Sequence, residues 1–151
     1  MTSTVRTLSN APILSPINPT KVGGIILDNN ENLLLVFGKY SQKWGVPKGT
    51  LEDNETYIHG ALREIKEETG LGLQHPNTAH LEYWSVNRAR LYLLKVIETA
   101  PLLKPYDDGE IGHAIWLNLR NYQDLQLVKA NANKMLLAIL KKLSVILSFR
   151  Y

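Results

Sequence analysis

Cysteine is absent from the 151-residue chain, which excludes disulfides, thiolate metal sites, cysteine nucleophiles and iron–sulfur ligation. Long apolar runs are missing as well. Residues 135–149 are broken by Lys141 and Lys142 and fall short of the roughly 18–20 residues that a membrane span needs. Residues 1–20 hold one Arg and no apolar core of about 7–15 residues, so no secretory signal is expected. The expected compartment is the cytoplasm, with no membrane partner. Neither sign of charge dominates: 17 Lys+Arg against 14 Asp+Glu give +3. That balance suits an anionic ligand and lacks the dense basic footprint of a DNA binder.

What is present is globular composition, 44% hydrophobic and 21% charged, at a length that fits one domain. Three of the seven prolines fall in residues 1–20 among Ser, Thr and Asn, which predicts a loose N-terminal arm before a domain over residues 21–151. Residues 22–27 (VGGIIL) and 33–37 (LLLVF) read as a hairpin with a polar turn, and residues 42–49 (QKWGVPKG) as a loop. A helix follows, because Ile58, Ala61, Leu62 and Ile65 recur at i, i+3, i+4 and i+7. Asp53 or Asn54 is the expected cap and Gly70 the left-handed stop. Strands are expected over 81–86, 91–97 and 114–117, and one terminal helix over 128–147. Strands on both sides of a central helix imply an α/β fold with a mixed sheet covered on both faces.

The acids are unevenly placed. Glu52, Asp53, Glu55, Glu64, Glu67 and Glu68 fall within 17 residues, with only Arg63 and Lys66 among them. On the helix Glu64, Glu67 and Glu68 form one patch beside the apolar stripe. Two such charges about 6 Å apart repel by roughly 3 kcal/mol at an effective dielectric of 20. One reading is a solvated acidic helix partly neutralised by Lys66 and Arg63. The other is a divalent-cation site; hard oxygen donors favour Mg²⁺ or Mn²⁺ over Zn²⁺ or Cu²⁺. His59, His75, His80 and His113 show no ligand spacing and read as structural or solvated.

Residues 49–71 run GTLEDNETYIHGALREIKEETGL. They match Gly-x5-Glu-x7-Arg-Glu-U-x-Glu-Glu-x-Gly-U, with U aliphatic, at Gly49, Glu55, Arg63, Glu64, Ile65, Glu67, Glu68, Gly70 and Leu71. On this motif the chain resembles the Nudix hydrolases, which implies their α/β/α sandwich and hydrolysis of a diphosphate linkage in a nucleoside diphosphate derivative. The resemblance implies that Glu64, Glu67 and Glu68 bind the metal, with one of them accepting the proton of the attacking water. It implies that Glu55 and Arg63 brace loop against helix and that the Gly49 carbonyl reaches the metal. Glu110, six residues before Trp116, matches a position that in some members faces the metal as ligand or general base; the alternative is a solvated loop acid beside Asp107 and Asp108. Lys48 is a candidate for a substrate phosphate. Arg88 and Arg90, alternating with Tyr83, Trp84 and Tyr92, can hold phosphates and stack a base, or simply form a strand pair with a polar turn.

Residues 44–49 (WGVPKG) are similar to the WGFPKG of dinucleoside-tetraphosphate hydrolases and mRNA-decapping enzymes, with Val46 in place of Phe. The expected substrate is a small nucleotide, a dinucleoside polyphosphate first. Capped RNA, a diphosphoinositol and a damaged pool nucleotide are the alternatives. A non-catalytic Nudix module that binds nucleotide or RNA is the remaining reading; such modules usually lose a metal carboxylate, and here all are present.

Overall fold

The alternation of large apolar residues in the N-terminal half builds a sheet with two buried faces. A computed structural model describes residues 18–74, 81–106 and 109–151. Most of the expected arm, together with His75, His80, Asp107 and Asp108, lies outside these residues. Strands β1 (Lys21–Leu27) and β2 (Asn32–Gly38) pair antiparallel as expected. The stretch read as a loop instead carries two short strands, β3 (Trp44–Gly45) and β4 (Lys48–Thr50). They pair with β2 and β1 respectively. Helix α1 (Tyr57–Thr69) follows, then β5 (Tyr83–Val86), β6 (Ala89–Lys95) and β7 (Ile111–Asn118).

The sheet has seven strands, with β3-β2-β1-β6-β5 as its main path, β4 on β1 and β7 on β2. The β1–β6 pair is parallel and the others are antiparallel, so the sheet is mixed. Side chains alternate across it with period two. Val22, Ile26, Leu34 and Tyr92 meet Ile58, Ala61 and Ile65 of α1. Ile25, Leu33, Leu35 and Leu91 meet the C-terminal helices. The result is the expected α/β/α sandwich.

Three local expectations are corrected. The cap of α1 is Thr56, whose hydroxyl accepts from the His59 N–H; Asn54 instead takes a positive φ of 63° in the preceding turn. The β5–β6 turn is only Asn87 and Arg88, both at positive φ, so Arg90 lies inside β6 rather than in the turn. The terminal helix is two helices, α2 (Tyr122–Ala130) and α3 (Lys134–Leu147). The break exists because β3 ties itself to it. The Trp44 N–H donates to the Asn131 carbonyl at 2.8 Å, and the Asn133 N–H donates to the Trp44 carbonyl at 2.9 Å. Asn133 then caps α3 through the Leu136 N–H. Among the described residues no helix is long and apolar enough to cross a membrane.

Candidate active site

Helical periodicity places Glu64, Glu67 and Glu68 along one edge of α1, and the β1–β4 pair brings a strand against that edge. Val22 pairs with Gly49, and Gly23 with Lys48. The Lys48 N–H donates to Glu68 Oε1 at 3.1 Å. Gly49 lies directly beneath Glu64: a Cβ there would collide with the Glu64 carboxylate, so only glycine lets helix and strand approach this closely. Gly70, at φ 78°, ends the helix in the left-handed conformation as expected.

Arg63 organises the acids. Its Nε and Nη2 clamp both oxygens of Glu55 at 2.7 and 3.0 Å, and Nη2 also donates to the Thr50 carbonyl at 3.1 Å. The remaining Nη1 reaches Glu64 at 2.8 Å and Glu67 at 3.3 Å. Glu55 also accepts from the Glu52 N–H at 3.0 Å, so the Glu55–Arg63 pair fastens the loop before α1 to the helix. The Arg63 hydrogen bonds hold the Glu55 carboxyl below the usual range, against its own burial. Burial pushes Glu64 up in spite of Arg63.

Glu68 is the most perturbed carboxyl. Burial pushes its pKa up to about 8; the Lys48 N–H opposes that rise, and the charges of Glu64 and Glu110 add to it. Arg63 thus offsets Glu64 and Glu67, whereas Lys48 only partly offsets the burial of Glu68.

The acids open onto a groove of about 850 Å³ whose lining includes Lys48, Gly49, Arg63, Glu64, Glu67, Glu68 and Glu110. The tertiary structure therefore brings Glu110 to the helix carboxylates. Among the described residues no three acidic or histidine side chains converge as a ready-made metal cage, and Arg63 is paired with Glu64 and Glu67. The donor set nevertheless suits a hard divalent cation. It consists of carboxylate oxygens, one of them poorly compensated in burial, beside a main chain kept open by glycine.

Arg88, Arg90 and Tyr92 do not line this groove. Arg88 Nη2 donates to the Asn18 carbonyl at 3.2 Å. Arg90 sits between the rings of Tyr57 and Tyr83, at 4.4 and 4.0 Å from their centroids. Tyr92 is buried against Val22, Ile58 and Ala61; burial pushes its phenol up, opposed by Arg90. The guanidinium thus joins the start of α1 to the β5–β6 edge. Two desolvated cation–π contacts are worth about 1–3 kcal/mol together. Arg90→Ala is expected to lower Tm by roughly 2–12 °C in a thermal melt with KM for nucleotide unchanged; a raised KM at unchanged Tm would return Arg90 to substrate binding.

The groove also holds residues that the sequence reading does not single out: Lys21, Lys43, Asn133, Tyr40 and Tyr106. The one available signal was Tyr40, an aromatic stranded in the polar stretch GKYSQK between two strands.

The fold and the nine-position motif together define an α/β/α sandwich of Nudix type. A family model described as NUDIX domain matches residues 18–138, and the chain belongs to the Nudix family. It is 25% identical to Nudix hydrolase 8 of Arabidopsis thaliana, over 93% of this chain and 40% of that protein. It is 30% identical to mRNA-decapping enzyme subunit 2 of the same plant, over 67% of this chain and 28% of that one. Among solved structures, a C. elegans Ap4A hydrolase binary complex matches with TM-score 0.63 at 19% identity, covering 85% of this chain and 98% of the other. A Francisella tularensis bifunctional NMN adenylyltransferase/ADP ribose pyrophosphatase, complexed with AMP and a Mn ion, gives 0.64 at 21%, covering 87% and 43%. These structural likenesses establish the fold. The chain spans 40% and 46% of the lengths of Arabidopsis Nudix hydrolases 8 and 5.

Proposed function

We propose that this chain is a divalent-metal-dependent pyrophosphohydrolase acting on a dinucleoside polyphosphate. The observation that carries this reading is the placement of Glu64, Glu67 and Glu68 against the Lys48–Gly49 strand in an open groove that Lys21 and Lys43 also line. Glu64, Glu67, Glu68 and the Gly49 carbonyl would hold Mg²⁺ or Mn²⁺. When bound, such an ion neutralises phosphoryl charge and acidifies water. Arg63, clamped by Glu55, fixes the carboxylates in position. Lys48 and its lysine neighbours grip the phosphates that are not being cleaved. The groove's size and openness suit an extended substrate better than a single enclosed base, and the compartment proposed for it is the cytoplasm.

The acids lie on one side of one helix, so charge is stabilised at one linkage and cleavage of a four-phosphate chain is asymmetric. Diadenosine tetraphosphate should yield AMP and ATP in the presence of Mg²⁺ or Mn²⁺, with EDTA abolishing turnover. In ¹⁸O-water the label identifies the phosphorus attacked. Two molecules of ADP, or rapid release of m⁷GDP from capped RNA without dinucleotide turnover, would assign the protein to another substrate. Full activity in chelator would remove the metal from the reading.

Glu110 is proposed as general base or additional ligand, on the strength of its place in the groove beside Glu68. Glu110→Gln is then expected to lower kcat more than it raises KM. A change in KM alone would make it a substrate contact.

A further inference from the structure

Strand β7 is paired on one side only. Its partner is β2, and no other strand joins it among the described residues. Which main-chain groups it leaves open follows from β2. The Asn32 carbonyl accepts from the Asp28 N–H at 3.0 Å, and the Gly38 N–H donates to the Lys43 carbonyl at 3.0 Å. The even-numbered residues of β2 therefore turn their main chain toward β1 and β3. The odd-numbered ones turn theirs to β7, where Leu33, Leu35 and Phe37 stand opposite Leu117, Ile115 and His113. Ala114 and Trp116 consequently direct their N–H and C=O groups outward, away from the sheet.

Open edges are ordinarily blunted by Lys, Pro or an inward-pointing charge. The β7 sequence IGHAIWLN holds no Asp, Glu, Lys, Arg or Pro, and its pairing shifts register only at the Phe37/Gly38 end. Each face of the sheet also carries a bare leucine beside this edge. On the face of α2 and α3, Leu127 is 69% exposed. It lines a notch of about 220 Å³ with Trp44, Ile115 and Val128, in which Asp124 is the one charged residue. On the face of α1, Leu102 is 89% exposed. It follows Pro101, whose carbonyl accepts from Trp116 Nε1 at 2.9 Å. The same stretch is tied to buried Asp28 through the Ala100 N–H at 2.9 Å, so Leu102 is held in place at little ordering cost on binding.

One partner meets all of these features together. A lone extended peptide satisfies the edge, but a strand is only about 4.8 Å wide and leaves the leucine on each face bare. A second copy of this chain, related by a two-fold axis perpendicular to the sheet, presents an identical edge running antiparallel. Every outward donor then meets an acceptor, and no like charges oppose one another along the strand. The copy's own layers fall beside Leu127 on one face and Leu102 on the other. We infer that β7 is a dimerisation edge, through which two copies of the chain join their seven-stranded sheets into one. Its eight residues span about 26 Å. With both flanks it falls at the low end of specific interfaces, roughly 1,200 Å² in total, so association in the micromolar range is expected.

Sedimentation equilibrium on the full chain, from about 1 to 500 µM, brackets a dimer of that strength, with residue-resolved hydrogen exchange recorded at both ends of the range. The average mass is expected to rise toward twice that of the chain. The Ala114 and Trp116 amides should exchange several-fold more slowly at the upper concentration, with no change at β5. Leu127→Glu and Leu102→Glu set a charge into each apolar flank and should keep the chain monomeric throughout. Both positions are exposed, so the fold is not at risk. Ala114→Pro removes an outward donor without a bond to β2 and should also give a monomer, with a thermal melt confirming that it is folded. A monomer mass across the whole range overturns the inference, whether or not the edge takes up an apolar peptide instead. A dimer that survives Leu127→Glu and a folded Ala114→Pro, or one whose protection falls outside β7 and its flanks, overturns it as well.

Discussion

Glu67→Gln and Glu68→Gln should each lower kcat by about 10²–10⁴-fold, the scale of lost acid–base or metal-assisted catalysis. The two substitutions remove the same charge from different environments. Glu67 is the more open carboxylate, 42% exposed and only loosely held by Arg63 at 3.3 Å, which leaves it free to meet water and a cation. Glu68 is the buried one, pushed up to about 8 by desolvation and anchored by the Lys48 N–H. Glutamine keeps the size of each side chain and the Lys48 contact, so the fold should survive and the loss should appear in turnover. Steady-state kinetics in saturating Mg²⁺, with a thermal melt as control, decides the matter. Wild-type kcat in both variants would mean that the acidic patch is a solvated helix face.

The largest expected loss of stability lies away from the groove, at Asp28. This fully buried carboxylate follows β1 and accepts four hydrogen bonds. Oδ1 takes the Asn30 and Asn32 N–H groups at 2.9 and 2.8 Å; Oδ2 takes the Asn32 side-chain amide at 2.8 Å and the Ala100 N–H at 2.9 Å. The last bond fixes the β6–β7 connection, where Ala100 adopts a positive φ of 44° and the neighbouring Pro101 carbonyl accepts from Trp116 Nε1 at 2.9 Å. Asp28→Ala leaves several buried donors without an acceptor, at a cost of about 3–5 kcal/mol. In a chain of this length that is a fall in Tm of roughly 6–20 °C.

The pH dependence has a definite sign. Burial opposes the charge of Asp28, but the four hydrogen bonds outweigh it and hold the carboxyl below its ordinary value of 3.8. The stabilisation is therefore complete above the unfolded value and is lost as pH falls through the lower, folded one. The Tm gap between wild type and Asp28→Ala should be constant near neutrality and shrink below pH 3.8. A gap that stays constant to pH 2 would show that packing, and not the charge, carries the effect.

How much of this was legible in the sequence follows from the range of the interactions involved. Helix α1, its edge of carboxylates, the Gly70 stop and the β1–β2 hairpin all depend on residues a few positions apart. Helical and strand periodicity therefore exposed them directly. The Glu55–Arg63 clamp, eight residues apart, was legible from the motif. The cap of α1 was misplaced because Asp53, Asn54 and Thr56 all have capping chemistry, and only the turn geometry chooses among them. Residues 128–147 continue one apolar helical period, which predicts a single helix. The Trp44 main chain interrupts it from another part of the fold.

The sequence by itself determined the family motif, the acids and the helix that displays them. Only the tertiary structure decided which distant groups join them, because period and propensity carry no information across long separations. The Lys48 N–H reaches Glu68 across 20 positions and Ala100 reaches Asp28 across 72. Glu110 comes to the groove by the pairing of β7 with β2. Arg90 reads from the sequence either as a phosphate ligand or as part of a strand pair, and only the folded chain shows it in the parallel β1–β6 register between the rings of Tyr57 and Tyr83. Tyr40 and Tyr106 come to the same groove only because the β2–β3 turn and the β6–β7 connection meet there, a proximity no local pattern carries.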